Sequence, residues 1–164
     1  MIIIMGEYGF KIEVLKGVTT VTMYEVVENQ LSYLTFSSIR KKVGFPSYSD
    51  EDVKIALQNS LYTVEVKENG ETIGIGRMVG DGRILFFIKD VVVDPAFQKH
   101  GVGKLIMQNI LRNIAERGCD HAYVGLMSTP DSVGFYQQWG FVSRPNSSMG
   151  PGMVLYIDKT VPPA

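Results

Sequence analysis

Gly101 and Gly103 are the residues whose spacing first suggests chemistry. They follow the β-branched run Val91-Val92-Val93 and stand at the start of a long amphipathic segment. Glycine inside a helix start costs about 1 kcal/mol relative to alanine, so another benefit must favour it there. Without side chains, the backbone N–H groups approach a phosphate closely, at the positive end of the helix dipole. The pattern indicates a phosphate-binding loop, with a plain strand-to-helix turn as the alternative.

Two common phosphate loops do not fit this stretch. A P-loop needs glycine at position 98 and Ser or Thr at position 105, where the chain has Gln98 and Leu105. A dinucleotide fingerprint that begins at Gly101 needs a small residue at position 106, where the chain has Ile106. What remains is Gln98 followed by Gly101 and Gly103, between a strand and a helix.

A second motif lies further along the chain, in the stretch FYQQWGF from Phe135 to Phe141. It contains an aromatic-Tyr pair on a short helix and ends in Gly-Phe at the next predicted strand. Together with the glycine loop it resembles the GNAT superfamily of N-acetyltransferases, whose acyl-CoA loop and aromatic-Tyr pair stand in this order. The resemblance covers roughly residues 60 to 157.

The resemblance implies a fold and an activity. The fold would be a mixed α/β domain with a mostly antiparallel central sheet flanked by helices, and we expect one domain over residues 1–164. The activity would be an acyltransferase reaction that moves the acetyl group of acetyl-CoA to a primary amine of a small molecule. A protein or peptide N-acetyltransferase and a non-catalytic acyl-CoA-binding module remain as alternatives.

The resemblance also implies which residues bind acetyl-CoA. The pyrophosphate would contact the loop, mainly through backbone N–H groups of Gln98, Lys99, His100, Gly101, Val102, Gly103 and Lys104. The pantetheine arm would pair along Val91 and Val93, and Val92 between them belongs to the same cofactor-binding set. Thr129, Ser132 and Tyr136 complete the set, although family members often carry Asn where this chain has Thr129.

Three catalytic tasks follow from the same resemblance. A primary ammonium with a pKa of roughly 10 must lose a proton before it attacks, and Asp90 is the candidate base, acting through water. The carbonyl oxygen would receive a backbone N–H of Val91 or Val92. Tyr136 would supply a proton to the departing thiolate. The alternatives are that Asp90 is a strand acid paired with a Lys or Arg, and that Tyr136 is a half-buried packing residue.

Several elements must position these residues. The stretch FKIEVLKG alternates like a strand, and Thr22 and Glu25 at capping-box spacing predict a helix through residues 22–42. Ser49 is a candidate N-cap for a second helix, and Asn69-Gly70 predicts a hairpin. Apolar residues then recur four apart through the helix after Gly101, namely Val102, Ile106, Ile110 and Ile114. The stretches HAYVGLM and MVLYI are expected to be strands, and DSVGFYQQWG a short helix.

Composition limits the partners. The formal charge of −1 over 164 residues argues against a nucleic-acid or anionic membrane surface, so we expect a small-molecule partner, with a homodimer left open. Cys119 is the only cysteine, and the opening MIIIM is too short for a signal peptide, which favours a cytoplasmic protein. His100 and His121 lack ligands at metal-binding spacing, so no metal is expected. Five aromatic residues could line an acceptor pocket or belong to the core: Tyr33, Phe36, Phe45, Tyr48 and Phe87.

Overall fold

The computed structural model describes residues 2–5, 8–15 and 18–157, with side chains from residue 22 onward. Contacts between Cα atoms divide the chain into two compact units, Met1–Met127 and Ser128–Ala164. A single domain over the whole chain therefore stays a prediction.

The first unit is built on one seven-stranded sheet whose strands follow one another in chain order. All neighbouring strands are antiparallel except the last pair, which is parallel. This confirms the mixed α/β class with a mostly antiparallel sheet. The strands are β1 Ile2–Met5, β2 Tyr8–Leu15, β3 Val18–Glu28, β4 Tyr62–Glu68, β5 Glu71–Gly80, β6 Leu85–Val93 and β7 Tyr123–Leu126.

Three helices accompany this sheet: α1 Tyr33–Lys42, α2 Asp50–Gln58 and α3 Val102–Arg117. Ser49 caps α2 as expected, because its hydroxyl accepts a hydrogen bond from the N–H of Asp52 at 3.1 Å. Asn69 and Gly70 both have positive φ angles, 52° and 82°, which is the geometry that a tight hairpin turn requires. Over the described ranges, no helix is both long and apolar enough to cross a membrane.

The helix expected over residues 22–42 is wrong in its first part. Residues up to Glu28 belong to β3, where Tyr24 and Val26 are buried on alternate positions. The chain turns at Asn29, which has a φ of 57°, and α1 begins only after Ser32, whose hydroxyl accepts from the N–H of Thr35. The apparent capping box at Thr22 misled the prediction because strand pairing decides the structure of such β-branched segments.

Helix α3 packs unusually close to β5, and two glycines make this approach feasible. A Cβ atom on Gly74 would lie 2.6 Å from Cγ1 of Val102, and one on Gly76 would lie 2.5 Å from Cγ2 of Ile106. Side chains of a strand alternate between faces, so Ile75 points to the opposite side. That side holds a core formed with α1 and α2 by Leu31, Phe36, Ile39, Val53, Ile75 and Val92.

The second unit contains a short helix, α4 Val133–Gln137, after a 3-10 turn over Pro130–Ser132. The strand expected for MVLYI is wrong: Met153 to Ile157 are irregular, and their side chains are 69% to 88% exposed. An apolar, β-prone sequence forms a strand only where a neighbour pairs with its backbone. The described residues provide no such neighbour for this segment.

Candidate active site

The N-terminus of α3 has the geometry of an anion site. Gly101 is the N-cap residue and has a φ of 88°, a left-handed conformation that glycine adopts without penalty. No side chain caps this helix start. Among the side chains that the structure describes, none therefore bonds the N–H groups of Val102, Gly103 and Lys104, which carry the positive end of the helix dipole.

The loop that leads to Gly101 is tied to its surroundings at Asp94. The Asp94 carboxylate accepts from the N–H of Ala96 at 3.0 Å and pairs with the ammonium of Lys42 at 2.5 Å. Lys42, and then the N–H of Ala96, lower the pKa of Asp94. Further along, the side-chain amide of Gln98 donates to the carbonyl of Val93 at 3.2 Å. The Gln98 contact holds the loop against the end of β6, and the Lys42 contact connects it to α1.

One edge of β6 is open at its C-terminal half. Strand β7 pairs with β6 only from Leu85 to Ile88. In the described ranges, Lys89 to Val93 have no strand neighbour on that side, so this edge is available to an extended ligand. The cofactor residues predicted on β6 and those predicted in the loop thus lie in the same unit. The structure brings them together because the loop begins where β6 ends.

Asp90 lies at a bulge of β6 and is buried, with 3% of its side chain exposed. Its φ is 54°, a left-handed conformation. One carboxylate oxygen pairs with the guanidinium of Arg40, and the other accepts from Nε of Arg77 at 3.0 Å. Asp90 therefore has the ion-paired environment that the sequence left as an alternative, and its assignment as a base stays a prediction.

Arg40 and Arg77 are residues of the site that sequence reasoning missed. Arg40 stands near the end of the amphipathic helix α1, and Arg77 interrupts the apolar strand β5. A charged residue in a strand with neighbours as apolar as Ile75 and Met78 is unusual and usually needs a buried partner. That signal was present in the sequence, but nothing in it identified Asp90 as the shared partner.

Tyr136 lies in the second unit within an aromatic cluster. Its ring centroid is 5.1 Å from that of Phe135 and 6.1 Å from that of Phe141, both in edge-to-face geometry. Burial raises the pKa of Tyr136, which keeps the phenol protonated. Nearby, the hydroxyls of Thr129 and Ser132 are 2.9 Å apart. The three residues lie close together in one unit, and their roles toward acetyl-CoA stay predictions.

Described residues of the first unit line a small crevice and a larger cavity. A crevice between α1 and the loop before α2 encloses about 10 Å³, room for about one water molecule. Its walls include Phe36, Phe45 and Tyr48 of the five aromatic residues considered for an acceptor pocket. A larger cavity of about 440 Å³ lies beside Asn109 and Arg112 of α3. At 1.5 Å per residue it is about 12–16 Å along the helix from Gly101, so it does not adjoin the loop.

No group of three or more His, Cys, Asp or Glu side chains placed to hold a metal ion occurs among the described residues. His100 lies in the loop before α3, and His121 follows the end of that helix with a φ of 59°.

Comparison with known proteins connects this geometry to a family. Residues 28–141 match the model of the Acetyltransferase (GNAT) family. The chloroplastic GCN5-related N-acetyltransferase 1 of Arabidopsis thaliana is 35% identical, over 70% of this chain and 58% of the relative. Serotonin N-acetyltransferase 2 of Oryza sativa subsp. japonica is 30% identical, over 66% and 56%. A histone acetyltransferase of Glycine max is 30% identical, over 66% and 51%. The chain spans little more than half the length of these relatives.

Solved structures share the fold. A GNAT family acetyltransferase of Streptococcus pneumoniae has a TM-score of 0.70 at 26% identity, over 84% of this chain and 99% of that chain. An aminoglycoside N-acetyltransferase solved in complex with CoA has a TM-score of 0.61 at 17% identity, over 84% of this chain and 96% of that chain. At that identity the second likeness shows the fold alone.

Three relatives contradict the expected cytoplasmic location, because the Arabidopsis and rice proteins above and a second GCN5-related N-acetyltransferase of Arabidopsis thaliana are all chloroplastic by name. A single cysteine is compatible with any reducing compartment and does not specify which one, so composition could not predict the location. The match to the family model is unaffected, and it spans both the loop before α3 and the aromatic-Tyr motif around Tyr136. The chain therefore belongs to the Acetyltransferase (GNAT) family.

Proposed function

We propose that this chain is an acetyl-CoA-dependent N-acetyltransferase that acts on a primary amine of a small molecule. The observation that carries the proposal is the uncapped N-terminus of α3 at Gly101, which the loop of residues 94–100 connects to the open edge of β6. A helix start without a side-chain cap suits a pyrophosphate, and an open strand edge suits the amides of a pantetheine arm. Acetyl-CoA carries both groups in the order that the chain offers them.

The cofactor would lie along β6 and end at the loop. Val91, Val92 and Val93 offer backbone groups to pantetheine, while the loop from Gln98 to Lys104 offers N–H groups to pyrophosphate. The side chain of Gln98 already bonds to Val93, so its part would be to hold the loop rather than to contact phosphate. Lys99, His100 and Lys104 are the charged or titratable side chains available for the adenosine-side phosphate. Thr129 and Ser132 are proposed as cofactor contacts from their place in the motif.

The reaction would proceed by direct attack on the thioester. The neutral amine forms a C–N bond to the acetyl carbon and the C–S bond breaks. The attacking nitrogen then loses a proton to water, and the CoA thiolate takes up a proton. The carbonyl oxygen gains negative charge during the attack and would accept a hydrogen bond from the N–H of Val91 or Val92. The amine must first lose its proton, because an ammonium has no lone pair.

Tyr136 is proposed as the proton donor to the thiolate, from its place in the aromatic-Tyr motif. The environment within its own unit supports this role, because burial raises the pKa of the phenol. A phenol that stays protonated through the neutral range remains able to donate when the thiolate forms. Packing against Phe135 and Phe141 would keep the ring in one orientation.

The acceptor is proposed to be an amine with an aromatic or apolar body. Phe36, Phe45 and Tyr48 line the crevice beside α1, and the guanidinium of Arg40 between them is paired with Asp90. The crevice therefore offers aromatic faces beside a guanidinium that shares the single carboxylate of Asp90 with Arg77. It is too small to hold an amine as it stands, so the loop that carries Phe45 and Tyr48 would have to move. The rice serotonin acetyltransferase among the relatives acts, by its name, on serotonin.

A protein substrate is the second candidate, because a relative from Glycine max is named a histone acetyltransferase. Mass spectrometry distinguishes the two. The protein is incubated with isotopically labelled acetyl-CoA and, separately, with a pool of arylalkyl and aliphatic amines and a pool of lysine-containing peptides. We expect labelled acetyl groups on arylalkyl amines. Label found only on peptides would support the second candidate, and label on neither pool would contradict both.

A further inference from the structure

The strongest unassigned feature is the ion cluster of Arg40, Asp90 and Arg77 behind the bulge of β6. In the ladder between β5 and β6, Ile75 pairs with Val92 and Arg77 pairs with Lys89. Gly76 therefore faces two residues of β6, Asp90 and Val91. A bulge of this kind leaves a residue unpaired, bends the strand and re-aims the groups around it.

The cluster connects this bulge to elements on the α1 and α2 side of the sheet. Arg40 pairs with Asp90 and also donates to the carbonyl of Pro46 at 3.0 Å. Arg77 pairs with Asp90 and lies 3.3 Å from the hydroxyl of Ser60, beyond the end of α2. The side chains of Arg40, Asp90 and Arg77 are only 9%, 3% and 12% exposed.

Aromatic rings enclose the same cluster. The Cζ atom of Arg40 lies 5.1 Å from the ring centroids of Phe36 and Phe45 and 5.3 Å from that of Tyr48. The Cζ atom of Arg77 lies 5.9 Å from the centroid of Phe36. The residues that line the acceptor crevice thus contact the group that holds the bulge.

Buried ion clusters seldom stabilise a fold more than apolar side chains of the same size would, so stability alone explains this one poorly. Its geometry does explain the left-handed backbone of Asp90. Asp is one of the few residues other than glycine that adopts this conformation readily, and two arginines from different elements fix its side chain. With both oxygens accepting from guanidinium groups, the carboxylate is also poorly placed to take a proton from an amine.

We propose that Arg40, Asp90 and Arg77 act as positioning residues that hold the β6 bulge, and thereby aim the N–H group of Val91 or Val92 at the thioester carbonyl. This inference rests on the proposed acetyl transfer. The cluster also links the two substrates, because Arg40 contacts Phe45 and Tyr48 of the acceptor crevice and Asp90 adjoins the N–H groups offered to the acetyl group. Asp90 then serves by its position and not as a base.

The test compares Asp90→Asn, Arg77→Lys and the control Glu28→Gln with the wild type. Asn keeps the size of Asp90 but turns one acceptor into a donor that faces an arginine. Lys keeps the charge of Arg77 but cannot contact Asp90 and Ser60 together. Glu28→Gln breaks a different ion pair, with Arg112, that is far more exposed. Amide hydrogen exchange of Val91 and Val92 is measured in each free protein, and kcat is measured against pH.

We expect Asp90→Asn to speed amide exchange at Val91 and Val92. The same variant should lower kcat about a hundredfold at every pH, which is the loss typical of a small displacement of the groups that position the substrate. Arg77→Lys should also speed this exchange and lower kcat, and it provides the test if Asp90→Asn does not fold. Glu28→Gln should change neither quantity. Unchanged amide exchange in the Asp90 and Arg77 variants would overturn the inference. A change confined to the low-pH limb of the kcat profile would also overturn it, because that change would indicate that Asp90 acts as a base.

Failure of the proposed function has a different signature. A wild-type protein that neither binds acetyl-CoA nor transfers its acetyl group would contradict the function, because kcat would then be absent in every variant. Amide exchange needs no substrate, so it would still show whether the cluster holds the bulge. The two failures are therefore distinguishable.

Discussion

Replacing Gly74 with alanine tests how strongly the close contact between α3 and β5 positions the cofactor loop. The new Cβ atom would lie 2.6 Å from Cγ1 of Val102 and 3.0 Å from Cδ1 of Ile106, where carbon atoms normally stay about 3.5–4.0 Å apart. Val102 is β-branched and stiff within a helix, so its side chain cannot rotate away freely. The backbone of Val102 must move by about 1 Å, and Gly101 moves with it.

The magnitude follows from two opposing effects. Overpacking of a buried site costs about 1–3 kcal/mol, and Val102 and Ile106 are both fully buried. Alanine recovers about 0.5–1 kcal/mol of the conformational entropy that glycine costs in a strand. We expect a net loss of about 1–2 kcal/mol and a decrease in Tm of about 2–8 °C. The KM for acetyl-CoA should rise because the shifted helix start no longer fits the pyrophosphate.

The assay is thermal unfolding combined with acetyl-CoA kinetics. Adding Val102→Ala removes the clashing Cγ1 atom, so the double variant should recover part of the KM and show a coupling energy of about 0.5–3 kcal/mol. Gly134→Ala in α4 is the matched control, since its Cβ meets nothing within 4 Å, and its Tm should stay or rise. A Gly74→Ala protein with wild-type Tm and KM would refute this account of the glycine.

Three further predictions concern the proton donor, the acceptor and the loop. Tyr136→Phe deletes only the hydroxyl, so kcat should fall about a hundredfold with little change in Tm. The decline of the wild-type rate at high pH, which the raised pKa of Tyr136 places above about pH 10, should disappear in the variant. A variant with the full turnover rate would exclude the proton-donor role. Tyr48→Ala should raise the KM for an arylalkyl amine while leaving the affinity for acetyl-CoA unchanged. Equal amine KM values for the variant and the wild type would show that the acceptor does not bind in this crevice. The pKa of Asp94 is lowered, so its contribution to stability is fully present above the unfolded pKa of about 4 and is lost as pH falls through the folded value. The Tm difference between wild type and Asp94→Asn should therefore be largest near neutral pH and shrink below about pH 4, and a constant difference would contradict the ion pair with Lys42.

Sequence patterns predicted the parts of this fold that depend on local chemistry. The hairpin at Asn69-Gly70 and the N-cap at Ser49 are decided by their own backbone and side chains, and both are confirmed. The segment from Thr22 to Glu28 was misassigned because it pairs with two other strands, with β2 and, from Glu25 onward, with β4, whose residues lie far away in the chain. Local capping signals cannot report such pairing.

The site shows the same division. The glycine loop was recognisable because its motif is contiguous and glycine in a left-handed conformation has a clear physical reason. The partners of Asp90 were not recognisable, because Arg40 lies 50 residues and Arg77 13 residues away in the chain. Only the folded sheet and α1 bring the three charges together.

Acetyl-CoA binding to the loop before α3 is the central claim, and Gly103→Asp tests it most directly. The aspartate adds bulk and negative charge in the first turn of α3, where the pyrophosphate is proposed to lie, while a carboxylate near a helix N-terminus does not by itself disfavour the helix. Isothermal titration of both proteins with acetyl-CoA measures the effect, with thermal unfolding as the check that the variant is folded. We predict saturable binding to the wild type and none to the folded variant. Equal affinity in the two proteins would contradict the account.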